Sequence, residues 1–436
     1  MEASYVVVGA GPSGVVCAET IVKEQPGAKV LLIGNEPEPP YSRMAIPYYL
    51  VGNIKEEGTH LRHTDGHYDA LGITYKQAKV TGLDPKAHTL ELHGGDTVKY
   101  EKLCIATGAS PIRPPIQGLD NPGVHHCWTL EDARNIISLA HEGAHVVLMG
   151  AGFIGCIILE ALAERNVNLH VVEMGDRMVP RMLDENAGGL LKTWCQDKGV
   201  MVHTSTKITQ LEPNKGEPED TLLVDLDNGH QIPAHLVVVA AGVKSNVSFL
   251  EWSGLELDQG IKVNEYLETT APDVYAAGDV AQGPDFTTGG WSVHAIQPTA
   301  ADHGRIAALN MLGRGAKYQG SLVMNVLDTL GLISVSYGAW DGVEGGDSVQ
   351  ELDAENYKYI RLEFDGEFLV GAQTLGRTEH VGVLRGLIQS NQPLGEWKDK
   401  LLKDPHRIME AYIATQGKAA VNRATLAVKT AAQAAE

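Results

Sequence analysis

A β-prone run that enters Gly-x-Gly-x-x-Gly and continues as an apolar-periodic helix occurs twice in this chain. No other feature limits its fold as strongly. Tyr5-Val6-Val7-Val8 leads into Gly9-Ala10-Gly11-Pro12-Ser13-Gly14 and the periodic stretch 15–22. Val146-Val147-Leu148-Met149 leads into Gly150-Ala151-Gly152-Phe153-Ile154-Gly155 and the stretch 156–162. The two copies start 141 residues apart. Each also has an acidic residue after its next strand: Glu36, 22 residues beyond Gly14, and Glu173, 18 residues beyond Gly155.

The spacing has a chemical reason. The first glycine makes a tight turn, the second lets backbone approach a pyrophosphate, and the third lets helix and strand pack closely. The helix N-terminus offers free N–H groups to the negative charge. The carboxylate after the second strand accepts hydrogen bonds from an adenosine ribose. One such motif is weak evidence, but two complete copies in strand–turn–helix context predict two bound dinucleotides.

Composition narrows the setting. At 436 residues the chain is long enough for two to four domains, and 43% hydrophobic with 21% charged residues is ordinary for a globular protein. A formal charge of −20 opposes binding to nucleic acid or an anionic membrane, while permitting a basic protein partner. No uncharged apolar run is long enough to span a bilayer, and Met1-Glu2-Ala3-Ser4 carries no signal-peptide pattern. The cysteines, Cys17, Cys104, Cys127, Cys156 and Cys195, are odd in number and contain no C-x-x-C pair. That argues against a disulfide framework, a zinc site or an iron–sulfur site, and makes a reduced, cytoplasmic protein the expectation. His60, His63 and His67 have no acidic partners at regular spacing, so 59–69 reads as a solvated connection.

Two further segments bring a family into view. Leu103-Cys104-Ile105-Ala106-Thr107-Gly108-Ala109 is a strand ending in Ala-Thr-Gly, and Asp273-Val274-Tyr275-Ala276-Ala277-Gly278-Asp279-Val280 is a strand ending in Gly-Asp. With these four motifs in this order, the chain resembles, over roughly residues 4–390, the FAD- and NAD(P)-dependent pyridine nucleotide-disulfide oxidoreductases. That family includes NADH oxidases, coenzyme A-disulfide reductases, rubredoxin and ferredoxin reductases, and the flavoprotein portion of nitrite reductases. The resemblance implies an α/β fold with two Rossmann-like dinucleotide-binding domains. The FAD domain (1–117 and 245–315) is split by an inserted NAD(P)H domain (118–244). A small α+β interface domain (316–412) and a tail (413–436) follow.

It also implies roles. Gly9, Gly11, Pro12, Ser13 and Gly14 cradle the FAD pyrophosphate, and Glu36 holds the adenosine ribose. The Val80 backbone meets the adenine. Ala106, Thr107 and Gly108 lie beside the cofactor, and Gly278 and Asp279 bind the ribitol chain. The last role is chemically sound by itself, since a carboxylate at a strand end accepts from a hydroxyl. Gly150, Gly152, Phe153, Ile154 and Gly155 take the NAD(H) pyrophosphate. Glu173 favours NADH over NADPH because it repels a 2′-phosphate, although Arg177 follows four residues later. Gly242 stands near the nicotinamide half. A helix over 299–312, with Pro298 in its first turn, aims its N-terminus at the flavin, which makes Trp291 and Gln297, together with Met44, candidates for the flavin wall. His294 reads as a structural histidine.

The chain departs from its relatives in two places. The cysteine of thiol-active relatives falls on Met44, and a thioether forms no sulfenate, persulfide or mixed disulfide. The adjoining Pro40-Tyr41-Ser42-Arg43 is similar to the ferredoxin- and rubredoxin-reductase branch, whose arginine lies near FAD, while that branch's lysine falls on Tyr48. After the second glycine motif, relatives carry Glu where this chain has Ile157, with Glu160 one helical turn on. Further along, strands are predicted over 332–337, 357–364 and 368–374, a helix over 382–389, and a marginal helix or frayed tail over 417–436.

The expectation is an FAD-dependent oxidoreductase that passes hydride from NADH to flavin and electrons on to a redox-protein acceptor, with no metal and no catalytic side chain fixed by sequence. It would act as a homodimer or within a redox complex. Two alternatives stay open: a flavoprotein subunit with little NADH turnover of its own, and an enzyme reducing oxygen, quinone or sulfur.

Overall fold

The apolar run at the N-terminus becomes strand β1 (Glu2–Val8), which lies inside a parallel sheet and is therefore buried on both faces. Strand β2 (Val30–Gly34) pairs with it on one side, Tyr5 opposite Val30, and β3 (Ile73–Gln77) extends that edge. The antiparallel strands β4 (Val80–Asp84) and β5 (Thr89–Leu92) follow, and then the long β6 (Thr97–Ile105), which flanks β1 on its other side. The order is β3-β2-β1-β6-β5-β4. β6 is long enough to carry two neighbours on one edge. Its first half pairs antiparallel with β5, and its last three residues pair in parallel with Val274–Ala276. Helix α1 (Pro12–Glu24) packs its buried face, Val15, Ala18, Ile21 and Val22, on this sheet.

The structure is a computed structural model that describes residues 1–216 and 221–415; the predicted tail over 417–436 lies outside them. These residues form two compact units. The first comprises Met1–Met149, Ala161–Leu169 and Ile208–Ser321. Besides the large sheet it holds the parallel strands His145–Met149, Leu236–Val239 and Val124–His125, and an antiparallel triplet, Ile208–Pro213, Leu222–Leu226 and Gln231–Ala234. The short strands Ala109–Pro111 and Val243–Ser245 pair antiparallel, so the segment after Gly108 lies beside the one after Gly242. The helix predicted over 299–312 runs from Gln297 to Met311, with Pro298 in its first turn. It packs tightly on α1: a Cβ on Gly304 would stand 2.2 Å from the Ser13 carbonyl oxygen.

The second unit comprises Gly150–Glu160, His170–Lys207 and the residues from Leu322 onward. Residues 170–172 pair in parallel with Met201–His203. A five-stranded antiparallel sheet runs in the order Met324–Thr329, Leu332–Gly338, Phe368–Leu375, Lys358–Asp365, Asp347–Asp353. Leu384, Leu387 and Ile388 of the helix Val381–Ser390 share a core with Val335, Tyr337 and Leu362 of that sheet. Two of the five strands carry no clear signal in sequence. Asp347–Asp353 is an edge strand, almost wholly exposed and bounded by acids, so it lacks apolar alternation. Among the described residues no helix is long and apolar enough to cross a membrane.

Candidate dinucleotide sites

The two outer glycines of the first motif answer to packing. Gly9 has φ +113°, donates its N–H to Ile33 O at 2.8 Å, and would place a Cβ 2.0 Å from Ala106 O. A Cβ on Gly14 would stand 1.8 Å from Gly9 O. Gly11 differs: a Cβ there meets nothing within 4 Å. It is the extended N-cap of α1, with Pro12 at the first helical position, so backbone N–H groups border an open approach. Ser13 Oγ is buried and has no protein hydrogen-bond partner. An anionic pyrophosphate fits the open space over Gly11.

Glu36 ends in a clamp that sequence reading did not foresee. Its Oε1 accepts from Arg43 Nη2 at 2.5 Å and its Oε2 from the Tyr41 hydroxyl. Arg43 also donates to Tyr41 Oη at 2.8 Å and to the Trp128 carbonyl. Its guanidinium lies 5.4 Å from the Tyr41 ring centre and 5.3 Å from that of Trp128. A ribose hydroxyl reaching Glu36 must share that carboxylate with the clamp. Val80 begins β4 and is buried.

Ala106, Thr107 and Gly108 follow β6, and Ala106 N donates to Val8 O at 2.7 Å. Asn246 holds the next two residues: Thr107 Oγ1 donates to Asn246 O at 3.0 Å, Asn246 Nδ2 donates to Thr107 O at 2.9 Å, and Asn246 N donates to Gly108 O at 2.9 Å. Asp279 follows Gly278, whose φ is +78°. Burial raises the Asp279 pKa to about 6, against the pull of Arg43. A largely buried carboxylate of raised pKa fits a hydroxyl donor brought by a ligand.

The candidate wall residues differ in their anchoring. Met44 sits on the short turn Arg43–Ala45 and is 49% exposed. Gln297 opens its helix and accepts from Ser42 Oγ at 2.6 Å, which ties that helix to the turn carrying Met44. Trp291 is exposed, and its Nε1 donates to Val263 O at 2.8 Å. His294 is half-buried, with Nε2 3.4 Å from Asp285 Oδ2. Burial raises the Asp285 pKa, but the facing His294 and Ser292 side chains and the Thr288 N–H more than reverse this.

The second motif repeats the logic of the first. Gly150 has φ +102° and donates to Val172 O at 2.8 Å, while a Cβ on Gly152 meets nothing within 4 Å. Phe153 and Ile154 open the helix Phe153–Ala163, and Gly155 is buried in its first turn. Glu173 accepts from Ala151 N through Oε2 and from Gly175 N through Oε1, both at 2.7 Å. The carboxylate expected at a ribose is thus braced by the glycine turn itself. Ile157 is half-buried on the helix. Gly242, φ +102°, accepts from Ile112 N at 2.9 Å. Arg177 bonds Asp176 and the Leu183 carbonyl.

All five cysteines are free thiols. The Cys104 hydrogen bond and burial push Cys17 up, burial pushes Cys156 up, and Cys127 and Cys195 are raised to about 12 by burial. Segment 59–69 is less solvated than its sequence suggested, because His67 Nε2 lies 2.8 Å from Glu19 on α1 and Arg62 pairs with the same carboxylate. Among the described residues no group of three or more His, Cys, Asp or Glu side chains is arranged to hold a metal ion.

Residues 3–295 match the pyridine nucleotide-disulphide oxidoreductase family. The chain is 30% identical over 406 residues to the NADH-dependent phenylglyoxylate dehydrogenase subunit epsilon of Aromatoleum evansii, covering 92% of this chain and 95% of the relative. It superposes on a NAD-dependent persulfide reductase from A. fulgidus with a TM-score of 0.82 at 27% identity, covering 91% of this chain and 78% of the other. A covalent putidaredoxin reductase–putidaredoxin complex shares the fold, with a TM-score of 0.86 at 21% identity and coverage of 95% and 99%. With two open glycine turns, each followed by a braced carboxylate, this chain belongs to the pyridine nucleotide-disulphide oxidoreductase family, whose members are FAD- and NAD(P)H-dependent oxidoreductases.

Proposed function

We propose that this chain takes hydride from NADH and delivers electrons to a separate redox protein or partner subunit, acting as a homodimer or inside a redox complex. In this reading FAD lies on Gly9–Gly14, Glu36, Arg43, Val80, Ala106–Gly108, Gly278 and Asp279, and NADH on Gly150–Gly155, Glu173 and Gly242. The FAD-binding part comprises 1–117 and 245–315, the NAD(P)H-binding part 118–244, and the interface part 316–412. When bound, FAD supplies the two-electron store between donor and acceptor. The chain supplies binding and orientation. Gly11 and Gly152 leave room for the two pyrophosphates at helix N-termini, and Asp279 accepts a ribitol hydroxyl. Glu173, held by Ala151 and Gly175, accepts from a ribose 2′-hydroxyl and repels a 2′-phosphate.

The observation that carries this reading is the thioether of Met44 exposed on the turn tied to Gln297, while the Cys104 hydrogen bond with burial suppresses ionisation of Cys17, and burial that of Cys127, Cys156 and Cys195. Substrate-thiol exchange needs an accessible thiolate. The test is anaerobic stopped-flow mixing of the yellow protein with NADH. Bleaching of the flavin band faster than about 1 s⁻¹ is expected, within the usual range for enzymes. A second reading, a flavoprotein subunit with little NADH turnover alone, is supported by Ile157 and by a relative named as one subunit of a dehydrogenase. Slower bleaching that quickens only with a co-purified partner selects it. A purified protein that is colourless and takes up no flavin overturns both.

A further inference from the structure

His303 lies in the helix Gln297–Met311 and is 2% exposed. Its Nδ1 accepts the Gly278 N–H at 3.3 Å. Because Nδ1 accepts, the neutral ring carries its proton on Nε2, and that nitrogen finds no acceptor in the protein. Burial lowers the His303 pKa to about 3, and His294 acts in the same direction. The ring stands perpendicular to that of Tyr318, with centres 4.6 Å apart. Tyr318 in turn bonds Ser321.

A buried imidazole with a single hydrogen bond is a poor source of stability, since an apolar side chain of similar size leaves no ring nitrogen unpaired. What His303 contributes is that one bond, and it falls on a particular peptide. Gly278 turns the chain at φ +78° between the end of strand Val274–Ala276 and Asp279, and a Cβ there would lie 3.0 Å from Ser13 Cβ. A glycine turn has wide conformational freedom unless something holds its backbone. The Gly278 and Asp279 carbonyls accept from Ala281 N at 2.9 Å and from Ser245 Oγ at 2.8 Å, while the Gly278 N–H is held by the imidazole and the turn is flanked by Ser13 of the first glycine motif.

We propose that His303 is a positioning residue for the flavin: by accepting the Gly278 N–H it fixes the turn that presents the Asp279 carboxylate, so FAD affinity depends on its Nδ1. The proposal rests on Asp279 binding the ribitol chain, as read above. A carboxylate held in place binds its ligand without first being ordered, and a loosened turn adds that ordering cost to each binding event.

The test uses the full chain stripped of flavin, with FAD affinity read from quenching of flavin fluorescence. His303→Leu leaves the Gly278 N–H unpaired and should weaken FAD binding about 10-fold or more, within the range expected for an orphaned buried donor. His303→Asn places an amide oxygen near the Nδ1 position and should recover affinity to within about threefold of wild type. If the residue works through the turn, its effect is coupled to Asp279, and in an Asp279→Ala background His303→Leu should change affinity by less than about threefold. Wild-type affinity in His303→Leu, or a loss that adds in full to that of Asp279→Ala, overturns the proposal. Unchanged affinity in Asp279→Ala alone instead overturns the reading of Asp279. Should the leucine variant not fold, His303→Gln replaces it. Its carbonyl reaches the Nε2 position, so it must bind FAD more weakly than His303→Asn, and equal binding by the two refutes the role of Nδ1.

Discussion

Replacing Gly11 and Gly14 separates ligand approach from packing within one turn. Gly11→Val adds its side chain where nothing lies within 4 Å, at an ordinary extended backbone with φ −78°. The free protein should lose little. An aliphatic N-cap costs up to about 1 kcal/mol more than glycine, and the reduced freedom of the unfolded chain returns about 0.4–1 kcal/mol. Flavin-free Gly11→Val should therefore melt within about 3 °C of flavin-free wild type, given the few degrees per kcal/mol typical of domains this size. Its FAD affinity should fall about 5- to 150-fold, since crowding a fitted contact costs about 1–3 kcal/mol. Gly14→Ala reverses the pattern, because its Cβ would stand 1.8 Å from Gly9 O and 3.3 Å from Val7 Cγ1. Backbone must move apart there, and the flavin-free protein itself should be destabilised by about 1–3 kcal/mol or more. Differential scanning fluorimetry and FAD titration on the same samples give both quantities. The reasoning fails if Gly11→Val binds FAD within twofold of wild type, or if it destabilises the free protein as much as Gly14→Ala does.

The remaining expectations follow from single side chains. Glu173→Ala should shrink the NADH-over-NADPH ratio of kcat/KM while leaving flavin content unchanged, as steady-state kinetics and the visible spectrum will report; a wild type that strongly prefers NADPH contradicts the role. Asp279 has a raised folded-state pKa of about 6, so it weakens the flavin-free protein at neutral pH, and that penalty disappears as pH falls through 6 toward 4. Asp279→Asn should accordingly raise the flavin-free melting temperature at pH 7.5 but not at pH 4. Each pKa unit is worth about 1.4 kcal/mol, so the gain is at most about 3 kcal/mol. Anaerobic titration should consume two electrons per chain with no long-wavelength thiolate-to-flavin band, and alkylation of accessible thiols should leave NADH-to-dye activity intact. Uptake of four electrons would restore the disulfide-reductase alternative. Met44→Cys is the converse experiment, expected to introduce a charge-transfer band.

Much of the frame was legible in the chain. β1 and β2 are near-continuous apolar runs because both lie inside a parallel sheet, and each glycine triplet marks a turn that local sterics demand. The placement of Glu36 and Glu173 after their strands follows from the same repeat. The strand Asp347–Asp353 escaped notice because its edge position removes the pattern that burial imposes on other strands.

Local periodicity, turn chemistry and spacing determined the two glycine turns, the helices after them and the absence of a thiol at Met44, because each depends on neighbours within a few residues. Tertiary structure alone decided what those turns are held by. Arg43, Tyr41 and the Trp128 carbonyl close around Glu36, Asn246 grips Thr107 from 139 positions away, and His303 reaches Gly278 from a helix 25 positions on. Such partners meet because strands and helices bring distant segments to one end of a sheet. A side chain's hydrogen-bond partner across that fold leaves no periodic trace in the sequence.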